Sequence, residues 1–65
     1  MKNAEIISVK KFPSNFQFYV RDENGQQLAG TDVNVDGWPK KNITEINAIE
    51  VLRSRIEEYG YILID

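Results

Sequence analysis

The stretch from Asp36 to Asp65 constrains this chain more than any other. It reads as turn, helix, stop and strand. Asp36-Gly37-Trp38-Pro39 is turn chemistry. Thr44 can cap a helix, and Glu45 suits its first turn. Asn42 with Glu45 offers a competing cap of the N-x-x-E type. Ile46, Ile49, Leu52, Ile56 and Tyr59, joined by Ala48, recur at helical spacing. Gly60 can end the helix in the left-handed conformation. Tyr61–Ile64 then reads as a strand, closed by Asp65. A single amphipathic helix followed by a strand must lie on one face of a small sheet.

The first half supplies that sheet. Residues 4–12, with Ile6, Ile7 and Val9, read as strand. From Asn15 to Glu23 the pattern alternates, with Phe16, Phe18 and Val20 on one side and Gln17, Tyr19 and Arg21 on the other. Asn24-Gly25 is a strong hairpin signal of the two-residue type I′ kind. The third strand then covers residues 26–35. This turn sets Val20 against Ala29, Phe18 against Thr31 and Phe16 against Val33, so the apolar sets share a face. Tyr19 falls across from Gly30 and could cover its bare backbone. A tight turn at Pro13-Ser14 sets Val9 against Phe18 and Ile7 against Val20.

The expected fold is α+β: a two-layer β-β-β-α-β sandwich with one helix on one face of a small, mostly antiparallel sheet. The last strand is expected beside the first, as a parallel neighbour. The predicted core is Phe16, Phe18, Val20, Val33, Ile49, Leu52 and Ile56. On the helix's solvent face Arg53 is expected to pair with Glu50 and Glu57, and Arg55 with Glu58.

With 65 residues, one domain spanning positions 1–65 is expected. There is no cysteine, so neither a disulfide nor a thiolate metal site can reinforce it. No apolar run reaches the ~20 residues of a membrane helix, and Lys2 is not followed by the apolar run of a signal peptide. A cytoplasmic location is expected. The absence of histidine removes the commonest general base and metal ligand. The serines have neither histidine nor cysteine to activate them, so a non-catalytic protein without cofactors is expected.

Two surfaces could bind a partner. The topology places Lys10, Lys11 and Phe12 at the same end as Trp38, Lys40, Lys41 and the helix N-terminus. That end suits an acidic protein, a nucleic acid or a phosphate group. Alternatively, Trp38 closes the core and the lysines solvate their loops. The opposite end carries Asp22, Glu23, Glu57 and Glu58, so the molecule should be dipolar. The second surface is the sheet face without a helix, expected to carry Ile6, Ser8, Lys10, Gln17, Tyr19, Arg21, Leu28 and Asp32, plus part of the last strand. That strand is apolar on both sides and lies at an edge without proline, bulge signal or lysine, which invites pairing with a second copy.

Asp32-Val33-Asn34-Val35-Asp36-Gly37 resembles the first half of a calcium loop of the EF-hand or dockerin type. Ile43 stands where the bidentate acid belongs, Lys40 and Lys41 add positive charge, and no helix precedes the segment. Calcium binding is therefore not expected. Asn42-Ile43-Thr44 matches a glycosylation acceptor by chance. The β-β-β-α order is similar to that of some double-stranded RNA binders and some antitoxins, but no binding motif of either is present. The expected function is a small protein-binding module that docks on a larger macromolecule and modulates or inhibits it, of a kind that phages and other mobile elements often encode. The alternative is nucleic-acid or phosphate binding through the basic–aromatic end.

Overall fold

The computed structural model describes residues 1–64; Asp65, read above as closing the last strand, lies outside the described residues. Strand β1 (Lys2–Lys11), β2 (Asn15–Asp22) and β3 (Asp32–Asn34) precede helix α1 (Glu45–Glu57) and β4 (Tyr61–Ile64). The sheet order is β3-β2-β1-β4. Adjacent pairs among β1, β2 and β3 are antiparallel, and β4 runs parallel to β1 as expected. The molecule is an α+β domain in which one helix packs on one face of a four-stranded mixed sheet.

Helix α1 starts where its cap predicts. Thr44 is extended, and its Oγ1 accepts the Asn47 N–H at 3.1 Å. Gly60 at φ 90° reverses the chain after a last tightened turn, in which the Gly60 N–H reaches the Glu57 carbonyl.

The buried core comprises Phe16, Phe18, Val20, Val33, Leu52 and Ile56 from the expected set, joined by Ala4, Val35, Ala48 and Leu63. Ile49 is half-buried against it. The helix stripe is rotated from the expected one. Ala48, Leu52 and Ile56 recur every four residues and share a face. Ile46 lies about 120° around the helix from Leu52 and is 74% exposed. Tyr59 follows the end of α1 and is 76% exposed, so it too leaves the stripe.

Two register details differ from expectation. Val9 does pair with Phe18, but Ile6, not Ile7, pairs with Val20, because β1 bulges between Ile6 and Ser8. A strand with apolar residues at 6, 7 and 9 cannot place all three on one face at period two. The bulge inserts the extra residue, so Ile6 and Val9 both reach the core while Ile7 stays outside.

The 22–26 turn is also not type I′. Asn24 has no positive φ; only Gly25 does, at 81°. The Gly25 N–H bonds the Asp22 carbonyl and the Asp22 N–H bonds the Gln26 carbonyl, each at 2.9 Å. This is the three-residue loop closed by a left-handed glycine. Asp22 drives it: its Oδ1 accepts the N–H groups of Asn24 and Gln26, both at 2.9 Å. The longer loop starts the ladder one residue off, with Arg21 opposite Gln27 rather than Leu28. By Phe16–Val33 the expected register is restored. Residues 28–31 absorb the difference outside any strand, which shortens β3 to three residues. Tyr19 and Gly30 are not paired in the ladder, and nothing lies within 4 Å of where a Gly30 Cβ would stand.

Candidate functional site

The two loops at one end are tied together. The Phe12 N–H bonds the Asn15 carbonyl at 2.8 Å, closing the tight Pro13-Ser14 turn. The Val35 N–H then bonds the Ser14 carbonyl at 2.9 Å, fixing the start of the 35–44 loop beside that turn. Lys10, Lys11, Phe12, Trp38, Lys40 and Lys41 therefore do come to one end. They do not form one patch. Lys10 pairs with Gln17 and Lys11 with Phe16, so the two lysines stand on opposite faces of the sheet. Lys11 holds its ammonium 5.8 Å from the Phe16 ring centroid, on the helix side. Lys40 and Lys41 lie in a single 3-10 turn, both exposed. Asp36 and Glu45 share that end and offset part of the charge. Trp38 is half-buried against the core. Phe12 remains exposed.

The uncovered sheet face has a different make-up from the one expected. Ile6 and Leu28 both leave it. Ile6 lies on the core face through the bulge. Leu28 bonds the Val20 carbonyl through its N–H at 2.9 Å and packs against the core, because the shifted loop carries it opposite Val20. Ile7 joins it instead, and of the two expected alternatives from the last strand, Tyr61 with Leu63 or Ile62 with Ile64, the second faces this side; Ile7, Ile62 and Ile64 are 48%, 43% and 45% exposed. Ile62 and Ile64 alternate with buried Leu63 and sit beside Asn3 and Glu5 in the parallel register. Ile7 and Ile64 border one shallow depression of about 350 Å³, together with Glu5 and Arg21.

Tyr19 and Arg21 belong to this face as expected, and they form a unit. The Arg21 guanidinium donates to the Tyr19 hydroxyl through Nε at 3.1 Å and Nη2 at 3.0 Å, and lies 5.2 Å from the ring centroid. This pre-orders one aromatic and one cation in the middle of the face. Beside them a groove of about 520 Å³ runs between Lys10, Gln17 and Tyr19 on one side and the 28–31 segment on the other.

Among the described residues, no group of three or more His, Cys, Asp or Glu side chains is placed to hold a metal ion. In the calcium-like segment Asn34 Oδ1 accepts the Asp36 N–H at 2.7 Å, closing its own turn. At the expected acidic end Asp22 is buried in its turn and Glu23 Oε1 accepts the Asn3 N–H at 3.1 Å.

Sequence reasoning missed Ile7 as an outward residue. Ile6-Ile7-Ser8-Val9 fits a regular strand with Ile7 and Val9 inward as well as a bulged one with Ile6 and Val9 inward, so the pattern alone did not decide it. No helix among the described residues is long and apolar enough to cross a membrane. No family model, curated protein or solved structure matches the chain.

Proposed function

We propose that this domain is a non-catalytic binding module that docks on a larger protein through its uncovered sheet face and modulates that protein. One observation carries the reading: Ile7, Ile62 and Ile64 are exposed on the face opposite α1. A sheet face open to water normally alternates polar residues outward. Three isoleucines there, beside a pre-ordered tyrosine–arginine pair, have the make-up of an interface centre. The lack of histidine and cysteine supports the non-catalytic part.

Capture from the native host, read by mass spectrometry, tests this. The wild type should retain a larger protein that Ile64→Lys loses, with both folded by circular dichroism. Retention of the same protein by Ile64→Lys and Ile62→Lys would overturn the reading.

A second reading rests on the joined loops. Lys10, Lys11, Lys40 and Lys41 at one end suit a nucleic acid or another phosphate ligand. If all four met phosphates, the log–log slope of affinity against salt would be about −3 to −4 for duplex DNA. Docking through isoleucines depends far less on salt. The split of Lys10 and Lys11 between opposite faces favours the protein reading.

A further inference from the structure

We propose that the uncovered face also takes a second copy of this chain, antiparallel to the first, about a two-fold axis that lies between the two facing sheets, at right angles to β1 and level with Ile7 and Ser8. The inference rests on the reading of that face as a docking surface. It comes from the order of residues along β1. Glu5, Ile7 and Lys10 follow one another on the outer side: acid, apolar, base. A two-fold axis perpendicular to the strands reverses that order in the second copy. Lys10 of one copy then meets Glu5 of the other, twice by symmetry, with the two Ile7 side chains close to the axis.

The same operation covers the other exposed apolar groups. Strand alternation carries Phe12 to the side of Lys10, and it is 44% exposed. The rotation that sets residue 5 against residue 10 sets residue 3 against residue 12. Ile62 is the register neighbour of Asn3, and Ile64 of Glu5. Both isoleucines therefore fall beside the Lys10–Phe12 end of the second copy. β4 ends at the level of Glu5, so what these isoleucines meet on the second copy is the Lys10 and Phe12 side chains rather than another strand.

Association through the edges is less favoured, because each edge is already engaged. The Lys2 N–H bonds the Gly60 carbonyl, so Tyr61 and Leu63 turn their backbone outward from β1. Arg53 Nη1 donates to that outward Leu63 carbonyl at 2.9 Å. A strand added at β4 would have to displace it.

The area indicates a weak dimer. β1 and β2 together span about 10 Å across and about 23 Å over seven residues, and the three residues of β3 and four of β4 add only about 10 Å and 13 Å of strand. That is roughly 340 Å² per copy, or about 680 Å² for the pair, well below the standard interface. A face this small fits weak association, and we expect dissociation in the range of about tens to hundreds of micromolar.

Sedimentation equilibrium from about 10 µM to about 1 mM reads this directly. The wild-type mass should rise from monomer toward dimer. Lys10→Glu and Glu5→Lys should each weaken association roughly tenfold, since two symmetric pairs become repulsive. The double reversal should restore it, with the fold of each variant checked by circular dichroism. A monomeric wild-type mass at about 1 mM overturns the proposal, as do reversals without effect or a double reversal that fails to recover. If the wild type is monomeric and Ile64→Lys still loses a captured larger protein, the dimer falls and the docking reading stands.

Discussion

Arg53 and Arg55 stand two residues apart on α1 and hold opposite edges of the sheet. Arg53 Nη1 donates to the Leu63 carbonyl on β4, while Arg55 Nη1 donates to the carbonyls of Gly30 and Asp32 on the β3 side. Both targets face away from the sheet. The Val35 N–H bonds the Ser14 carbonyl, so Val33 and Val35 turn toward β2 and Asp32 turns outward. A helix over the middle of a four-stranded sheet can reach both edges with long side chains on its two flanks. Arg53 also keeps its expected partner Glu50, at 3.6 Å. Arg55, expected to meet Glu58, reaches the sheet instead.

These contacts occupy backbone acceptors that would otherwise template another strand. Arg53→Ala and Arg55→Ala should each lower stability by about 1 kcal/mol. The double variant should also aggregate faster on mild heating. Thioflavin fluorescence and light scattering check this. Aggregation no faster than wild type, at equal fraction unfolded, would show that the arginines do not protect the edges.

The core is small, so its members are individually costly. Phe18 and Leu52 are both buried, on β2 and α1. Phe18→Ala or Leu52→Ala should cost about 2–5 kcal/mol, a large share of the stability of a domain this size. Melting curves should show most of the population unfolded near 37 °C. Curves close to wild type would mean that the helix does not sit where the structure places it.

How much was legible divides along a physical line. Features set by neighbouring residues could be read: the Thr44 cap, the Gly60 stop and the Pro13-Ser14 turn; the Phe16–Val33 pair agrees only because residues 28–31 cancel the longer loop. So could the parallel placement of β4, which chain connectivity restricts. Features decided by competition between alternatives could not. Asn24-Gly25 suits two loop types, and the Asp22 carboxylate, by taking two backbone N–H groups, selects the longer. The helix phase followed Ala48 rather than Ile46, because a small residue lets the helix approach the sheet. Arg53 and Arg55 had carboxylates close in sequence, but the sheet carbonyls are distant in sequence and invisible to it. Of the uncovered sheet face, Tyr19 and Arg21 lie where the alternation put them. Ile6 and Leu28 do not, since a bulge and a shifted loop each moved one residue inward.

The 22–26 turn can be tested separately. Gly25 holds φ 81°, where an L side chain is strained even with open space around it. Gly25→Ala should cost about 1 kcal/mol. Asp22→Ala should cost more, about 1–3 kcal/mol, because it removes the acceptor for the Asn24 and Gln26 N–H groups. Urea titrations of both variants would rank them. If Gly25→Ala proved the costlier, the carboxylate would not be what selects this loop.

Ile6 and Ile7 give the sharpest test of the bulge, because they are adjacent, identical in chemistry and assigned opposite sides. Ile6 pairs with Val20 and packs on the core; Ile7 is the inserted residue and lies outside. Ile6→Asn puts an amide against apolar neighbours and should cost about 2–3 kcal/mol. Ile7→Asn should change stability by no more than about 0.5 kcal/mol. A regular strand reverses the ranking, because Ile7 would then be the residue facing Val20. Urea midpoints at equal slope decide between the two. The result also bears on function. If Ile7→Asn leaves the fold intact, any loss of association in that variant belongs to the surface itself. Deleting Ile7 gives an independent check. It removes the inserted residue and restores period two along β1, with Ile6 still opposite Val20, Val9 opposite Phe18 and Lys10 opposite Gln17. The deletion should therefore leave the domain folded, and a variant that unfolds would show that Ile7 is not a surplus residue of β1.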